Sequence, residues 1–440
     1  MYQQYGCLIK EGNMKKIISI LLGIIYALNL FGQNADQKIG ELINSGNWFE
    51  LEREYANLKN DVQAPILKMM SEVMLASYFN RPIELREKLQ QLLNKQQEEL
   101  GFSNVCNMTI MGATIEGFEG NYSLAADMVK GVADLVQNAS GSLEGTGLLE
   151  LYNYYNVIRE LPAPTIERPL GDVEILFKEN SVGLLSVPVQ IKDKTFDFII
   201  DTGASFSVIS SELANTIQAK IIDMPVYVEG ANEDSGGYGR RAFIDVMQIG
   251  VIKIKNIIAL VNDTPDINDV KIDAVLGMDF LKLVNELQIN YTKSVINFPL
   301  AFTPLPSNGR NIILDHNVPL LSVTENNQSP AIFKLDSGNI ASELSDLWYS
   351  KNLLDVEKYP IESIQSGSFG GLVQYNIVRV PQYEISIGGT IASFEQIPAK
   401  VPATDDVMDS VDGNLGVDLI KMAGTFILNF KDMFFEYVKE

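Results

Sequence analysis

Apolar positions along this chain follow three rhythms in succession. The first is a block: residues 17–31 are almost wholly apolar and follow Lys15-Lys16. The second runs from 34 to about 160. There apolar residues recur every three or four positions, as in Ile43…Leu51…Leu58 and Leu85…Leu89…Leu92-Leu93. That spacing predicts amphipathic helices. Breakers fall at Ser45-Gly46, Asn80-Arg81-Pro82 and 117–120. A Pro-rich joint follows, from Leu161-Pro162-Ala163-Pro164 to Pro169-Leu170-Gly171. Beyond it the third rhythm sets in. Short β-branched and aromatic runs, such as 184–191, 195–200, 252–261 and 294–298, are broken by Gly, Asn and Asp. This is all-β patterning. A second Pro-rich stretch, from Asn297-Phe298-Pro299 through Pro304-Leu305-Pro306, divides it. The expected architecture is multi-domain α + β: an all-α domain over 34–160, a linker over 161–171, and β lobes over 172–300 and 301–440.

The opening block is an address before it is a fold. Fifteen apolar residues are short for a membrane span, which needs about 20. Lysines followed by such a run are the pattern of a signal peptide, here residues 1–32, with Met14 at the usual start and cleavage expected after Gly32. The chain is therefore expected in the periplasm or outside the cell. A retained N-terminal anchor is the alternative, and no further integral membrane segment is expected.

Composition removes most chemistries. Acids outnumber bases 56 to 34, for a net charge of −22. A nucleic-acid partner would need a basic surface. There is one histidine, His316, and there are two cysteines, Cys7 and Cys106. One histidine rules out multi-His metal sites, and nothing near His316 resembles a nucleophile motif. Two cysteines build neither a disulfide framework nor a zinc ribbon. What remains is carboxylates, hydroxyls and lysines, with no cofactor and no metal expected. His316 itself reads as a surface turn residue, Trp48 and Trp348 as packing anchors, and Asp405, Asp406 and Asp409 as a solvated loop.

Both parts of the chain contain internal repetition. In the helical part, Glu-Leu pairs in the segments 47–51 and 80–85 lie 34 residues apart, and 120–125 is a less regular third copy. A 34-residue helical period resembles the tetratricopeptide repeat, a partner-docking module; a generic helical bundle fits as well. In the β part the repetition is sharper. Phe198-Ile199-Ile200-Asp201-Thr202-Gly203-Ala204 is matched by Phe333-Lys334-Leu335-Asp336-Ser337-Gly338-Asn339. Leu-Leu-Ser-Val precedes each Asp, starting 17 and 16 residues upstream. Ile249-Gly250 and Ile387-Gly388 follow, and then Leu276-Gly277-Met278-Asp279 and Leu415-Gly416-Val417-Asp418. The order is kept and the spacing nearly so, which marks a duplication.

A hydrophobic-Asp-Thr/Ser-Gly element, followed 75–80 residues later by a Leu-Gly element, resembles the aspartic peptidases. Two copies in one chain resemble the bilobal, pepsin-like arrangement, which pairs them without a second chain; a monomer is expected. The resemblance covers about residues 170–440. It implies that Asp201 and Asp336 are the catalytic pair, sharing one proton because close like charges cannot both ionise. It implies that Thr202, Gly203, Ser337 and Gly338 build the supporting loops, with each hydroxyl bonding to the opposite backbone. It implies a flap over the cleft, for which the hairpin at 233–239, with Tyr238, is the candidate, and 366–371 is its second-lobe counterpart. The implied activity is endopeptidase cleavage of peptide or protein substrates by a water activated between the carboxylates. The alternatives are an inactive peptide-binding protein of the same fold and a scaffold that works through its helices.

Departures from the pattern carry information. Ala204 and Asn339 stand where pepsin-like members usually have a hydroxyl that lowers the carboxylate pKa. A less acidic optimum than that of a digestive pepsin follows. Lys334 lies two residues before Asp336, on the same side of the strand, and Asn414 replaces the apolar residue before Leu415-Gly416. The Lys334 ammonium is expected to reach away to solvent.

Overall fold

The computed structural model describes residues 33–141, 147–228, 237–263, 271–325, 329–368, 371–403, 409–422 and 424–438. The expected signal segment, the flap tip, and Asp405 and Asp406 lie outside them. The chain divides into two compact units, one ending at Pro164 and one beginning at Thr165. A helical region precedes a β-rich region, as the apolar rhythms predict.

In the first unit the described helices are Gln33–Ser45, Trp48–Leu58, Pro65–Tyr78, Pro82–Phe118, Tyr122–Ser140 and Gly147–Ile158. Each packs against the next in sequence. Their starts are written locally. The Asn47 side chain accepts a hydrogen bond from the Glu50 N–H, and Pro65 and Pro82 open their helices, where no N–H is missed. The chain reverses at Gly46, Asn80 and Gly120, all with positive φ. The longest helix is interrupted at Gln96 and Gly101. Buried Glu116 anchors this region: it receives a two-pronged bond from Arg86, one arm at 2.6 Å, and another from the Asn121 amide at 2.7 Å. Among the described residues no helix is long and apolar enough to cross a membrane.

The second unit is built twice over. In its first half, strand Lys194–Ile200 ends in three consecutive buried residues, Phe198, Ile199 and Ile200, and runs straight into Asp201. A three-residue strand, Ala274–Leu276, lies parallel to its end and antiparallel to Val208–Ile209. In its second half, Ser329–Leu335 runs into Asp336, with Gly413–Leu415 parallel beside it and antiparallel to Glu343–Leu344. Each three-residue strand leads into a short helix, Met278–Val284 or Val417–Met422. Each helix then delivers a strand, Glu286–Asn290 or Thr425–Asn429, and these two pair antiparallel. Strands from both halves thus form one five-stranded sheet, with Val173–Leu176 at one edge and Phe434–Val438 at the other. At its centre the fully buried Glu286 carboxylate accepts bonds from the Thr303 N–H and hydroxyl and from Asn429. Within the stretch read as a linker, Thr165–Glu167 forms a strand against Ile252–Val261.

The Leu-Gly elements are fixed by close approach. A Cβ on Gly277 would lie 2.4 Å from the Phe206 carbonyl carbon and 2.8 Å from the Ala204 oxygen. On Gly416 it would lie 2.7 Å from the Asn339 oxygen. These are backbone atoms of the loops that follow each Asp, so neither can yield without moving the Asp. Gly277→Ala and Gly416→Ala are each expected to lower unfolding free energy by about 3 kcal/mol or more. Gly171→Ala, where a Cβ meets nothing within 4 Å, should be near neutral. Urea titration of the three variants measures this.

Candidate active site

The two Asp turns are brought face to face and locked by their own hydroxyls. Thr202 Oγ1 donates to the Leu335 carbonyl at 2.7 Å and accepts from the Ser337 N–H at 3.0 Å. Ser337 Oγ donates to the Ile200 carbonyl at 2.8 Å and accepts from the Thr202 N–H at 3.0 Å. Each loop thus gives the other two donors and two acceptors, and both residues are buried. From behind, the Asp201 N–H is held by the Leu276 carbonyl at 3.0 Å and the Asp336 N–H by that of Leu415 at 2.9 Å.

This lock sets the carboxylates. Asp201 Oδ1 accepts from the N–H groups of Gly203, at 2.8 Å, and Ala204, at 3.1 Å. Asp336 Oδ1 accepts from the Gly338 N–H at 3.1 Å. Each carboxyl group also lies on the opposite loop's glycine. A Cβ on Gly203 would sit 2.3 Å from Asp336 Oδ1, and one on Gly338 2.4 Å from Asp201 Oδ2. Only glycine leaves room for the two carboxyls to meet, close enough for each to shift the other's pKa.

Lys334 does not reach away to solvent. Its ammonium donates to Asp336 Oδ2 at 2.8 Å, and the Asn414 amide donates to the same oxygen at 3.2 Å. The expectation fails because the Asp336 side chain is only 14% exposed, where an ion is stabilised by a partner, while the Lys334 side chain, 34% exposed, can make that contact and stay partly hydrated. Electrostatics at the pair are therefore unequal. Burial, and then the charge on Asp336, push the Asp201 carboxyl up to about 7. Burial pushes Asp336 the same way, but the Lys334 charge and hydrogen bonds from Lys334, Asn414 and Asp201 outweigh it and hold Asp336 below its ordinary value. Lys334 feels burial too, yet Asp336, Asp201 and nearby Glu343 keep it above the usual lysine value.

A further pair of carboxylates braces the loops. Asp279 accepts from the Ser207 N–H and hydroxyl, both at 2.8 Å. Asp418 accepts from the Ser342 N–H at 2.8 Å and hydroxyl at 2.6 Å. Each serine hydroxyl in turn accepts from the N–H of Gly277 or Gly416. Sequence reading quoted both acids without giving them this role. The signal was present: each serine lies six residues after its Asp. Burial raises the Asp279 pKa to about 6.

The candidate flap is described only along its arms. Lys220–Val228 and Gly237–Ile249 pair antiparallel, with Tyr238 opposite Tyr227 and 72% exposed. In the second half Ile361–Ser368 and Gly371–Ile387 pair in the same way. His316 stands in a turn between Ile312–Asp315 and Val318–Glu325, and its backbone carbonyl accepts from the Ser205 hydroxyl. Trp348 is buried and its indole donates to Glu325. Asp409 pairs with Lys400, and its N–H donates to Asp346.

A model of the family described as gag-polyprotein putative aspartyl protease matches residues 187–283. An aspartic-protease-like domain is present. The match holds the first Asp-Thr-Gly and its Leu-Gly element, while the second copy stands on its geometry. No curated protein matches the chain.

Two outcomes follow from this geometry. Thr202→Val and Ser337→Ala each leave a buried N–H and a carbonyl without their partner, and each should cost about 2–3 kcal/mol, read by urea titration. Asp201→Asn should gain stability relative to the parent as pH rises. The folded carboxyl titrates near 7 and an unfolded one near about 4. Between these values the folded state binds the extra proton, so the parent loses stability with rising pH and the variant does not. Melting temperatures at pH 4 and pH 8 test the sign.

Proposed function

We propose that the chain is an exported aspartic endopeptidase in which Asp201 and Asp336 activate water against a peptide bond. The observation that carries this reading is the paired contact of each carboxyl with the opposite loop's glycine, on loops cross-linked by Thr202 and Ser337. Two buried carboxyls in contact hold one proton between them. Such a pair supplies a base and an acid at once. One takes a proton from water as its oxygen attacks the carbonyl carbon, and the other gives a proton to the carbonyl oxygen. The tetrahedral intermediate then breaks its C–N bond as the amide nitrogen is protonated, leaving an acid and an amine. No metal or organic cofactor enters these steps. Export is supported by the lysines and apolar block at 15–31. The helical unit is proposed to dock a partner or substrate.

A second reading has one observation in its favour. The Lys334–Asp336 ion pair suits a cleft that binds peptides without cutting them. Peptide-library digestion separates the two. The parent should cleave, a statine-containing peptide should inhibit it, and Asp201→Asn and Asp336→Asn should each lose about 10³-fold or more of kcat. Cleavage that persists in both variants, or a parent that binds peptides and cuts none, would remove the peptidase reading.

A further inference from the structure

The two halves match at the Asp turns but not two residues before each Asp. In the first half, Ile199 pairs in register with Val275. The corresponding pair in the second half is Lys334 with Asn414. Both polar side chains converge on one atom, Asp336 Oδ2. Asp336 Oδ1 is meanwhile taken by the Gly338 N–H. Both Asp336 oxygens are therefore donated to from its own half, one of them by a full positive charge. Asp201 receives only backbone N–H groups from its half, both on Oδ1. A strand residue facing a carboxylate at 2.8 Å is in the range where an opposite charge strongly favours ionisation.

Three carboxylates act on this ammonium. On its own segment there is Asp336, across the site Asp201, and one strand beyond that of Asn414, Glu343. Glu343 is itself engaged by the Tyr375 hydroxyl and faces Lys400 and Asp409. It offers Lys334 no hydrogen bond that competes with Asp336.

We propose that Lys334, assisted by Asn414, is a positioning residue that fixes the shared proton on Asp201 and leaves Asp336 as the base. This rests on the hydrolytic reading of the site. The roles are then directional. Asp336 takes a proton from water while the water oxygen bonds to the carbonyl carbon. Asp201 gives its proton to the carbonyl oxygen, which accepts the π electrons. In the second step Asp336 returns its proton to the amide nitrogen as the C–N bond breaks, and Asp201 recovers a proton from the intermediate's hydroxyl. The pair ends as it began. Two side chains that look like decay of the second copy thus become the device that removes ambiguity from the pair. The lysine also replaces the missing hydroxyl after each Asp-Thr/Ser-Gly as the group that holds a carboxylate ionised.

The test is the pH profile of kcat/KM for the parent, Lys334→Met, Lys334→Arg and Asn414→Leu. The acid limb belongs to Asp336. It should rise by about 1–3 units in Lys334→Met, return in Lys334→Arg, and rise by less in Asn414→Leu. Limbs that stay in place, or a Lys334→Met enzyme that is faster by one factor at every pH, would overturn the proposal; the second result would make the lysine a plug. A parallel titration of ¹³Cγ-labelled aspartate, assigned with Asp201→Asn and Asp336→Asn, reads the pair without turnover. It should show one carboxyl ionised throughout mild acid and one titrating near neutrality. In Lys334→Met the low one should move up. If the parent cleaves nothing while the titration shows this asymmetry, the peptidase reading fails and the pinned proton stands. If cleavage occurs and the two carboxyls titrate alike, the reverse holds.

Discussion

Two carboxyl groups in contact are the constraint on which the β unit is organised. At about 4 Å and an effective dielectric near 20, two full charges would repel by roughly 4 kcal/mol. The fold must supply that, or supply a proton, and it must stop the loops from relaxing apart. The hydroxyl lock of Thr202 and Ser337 prevents separation. The strands behind, at Leu276 and Leu415, prevent retreat. The carboxylates of Asp279 and Asp418, tied to Ser207 and Ser342, stop each loop from rotating. Every one of these restraints occurs in both halves. The five-stranded sheet, made of strands from both, keeps the halves in register.

Much of this was legible in the chain. The duplication could be read because its landmarks are dictated by backbone needs. An Asp must end an apolar strand, a glycine must admit the opposite carboxyl, and another must pass beneath a loop carbonyl. Such positions tolerate one residue type, so they survive in both copies as matching letters. The helices were legible for a similar reason, since Leu85, Leu89 and Leu92 are all buried along one face.

What escaped reading depends on direction rather than type. Strand alternation placed Lys334 on the right side but could not say where a four-carbon stem would lead. Its end is set by Asn414, on a strand 80 residues away, and by the depth of Asp336. The braces of Ser207 and Ser342 left only a faint signal, a serine repeated six residues after each Asp, since serine is common and its partner lies more than 70 residues on. The interruption of the long helix at Gln96 and Gly101 falls at a six-residue polar run, 94–99, which an exposed stretch of unbroken helix could equally carry.

The joining of both copies in a single chain has a consequence of its own. Were the site assembled from two identical polypeptides, any residue near the axis would occur twice. A lysine at the position of Lys334 would then stand against both carboxyls, and two ammoniums would strip the proton that the pair must keep. Covalent linkage turns the symmetric position into two independently mutable addresses, one holding Ile199 and the other Lys334. Polarity across the axis is thus a property that only the fused gene can inherit.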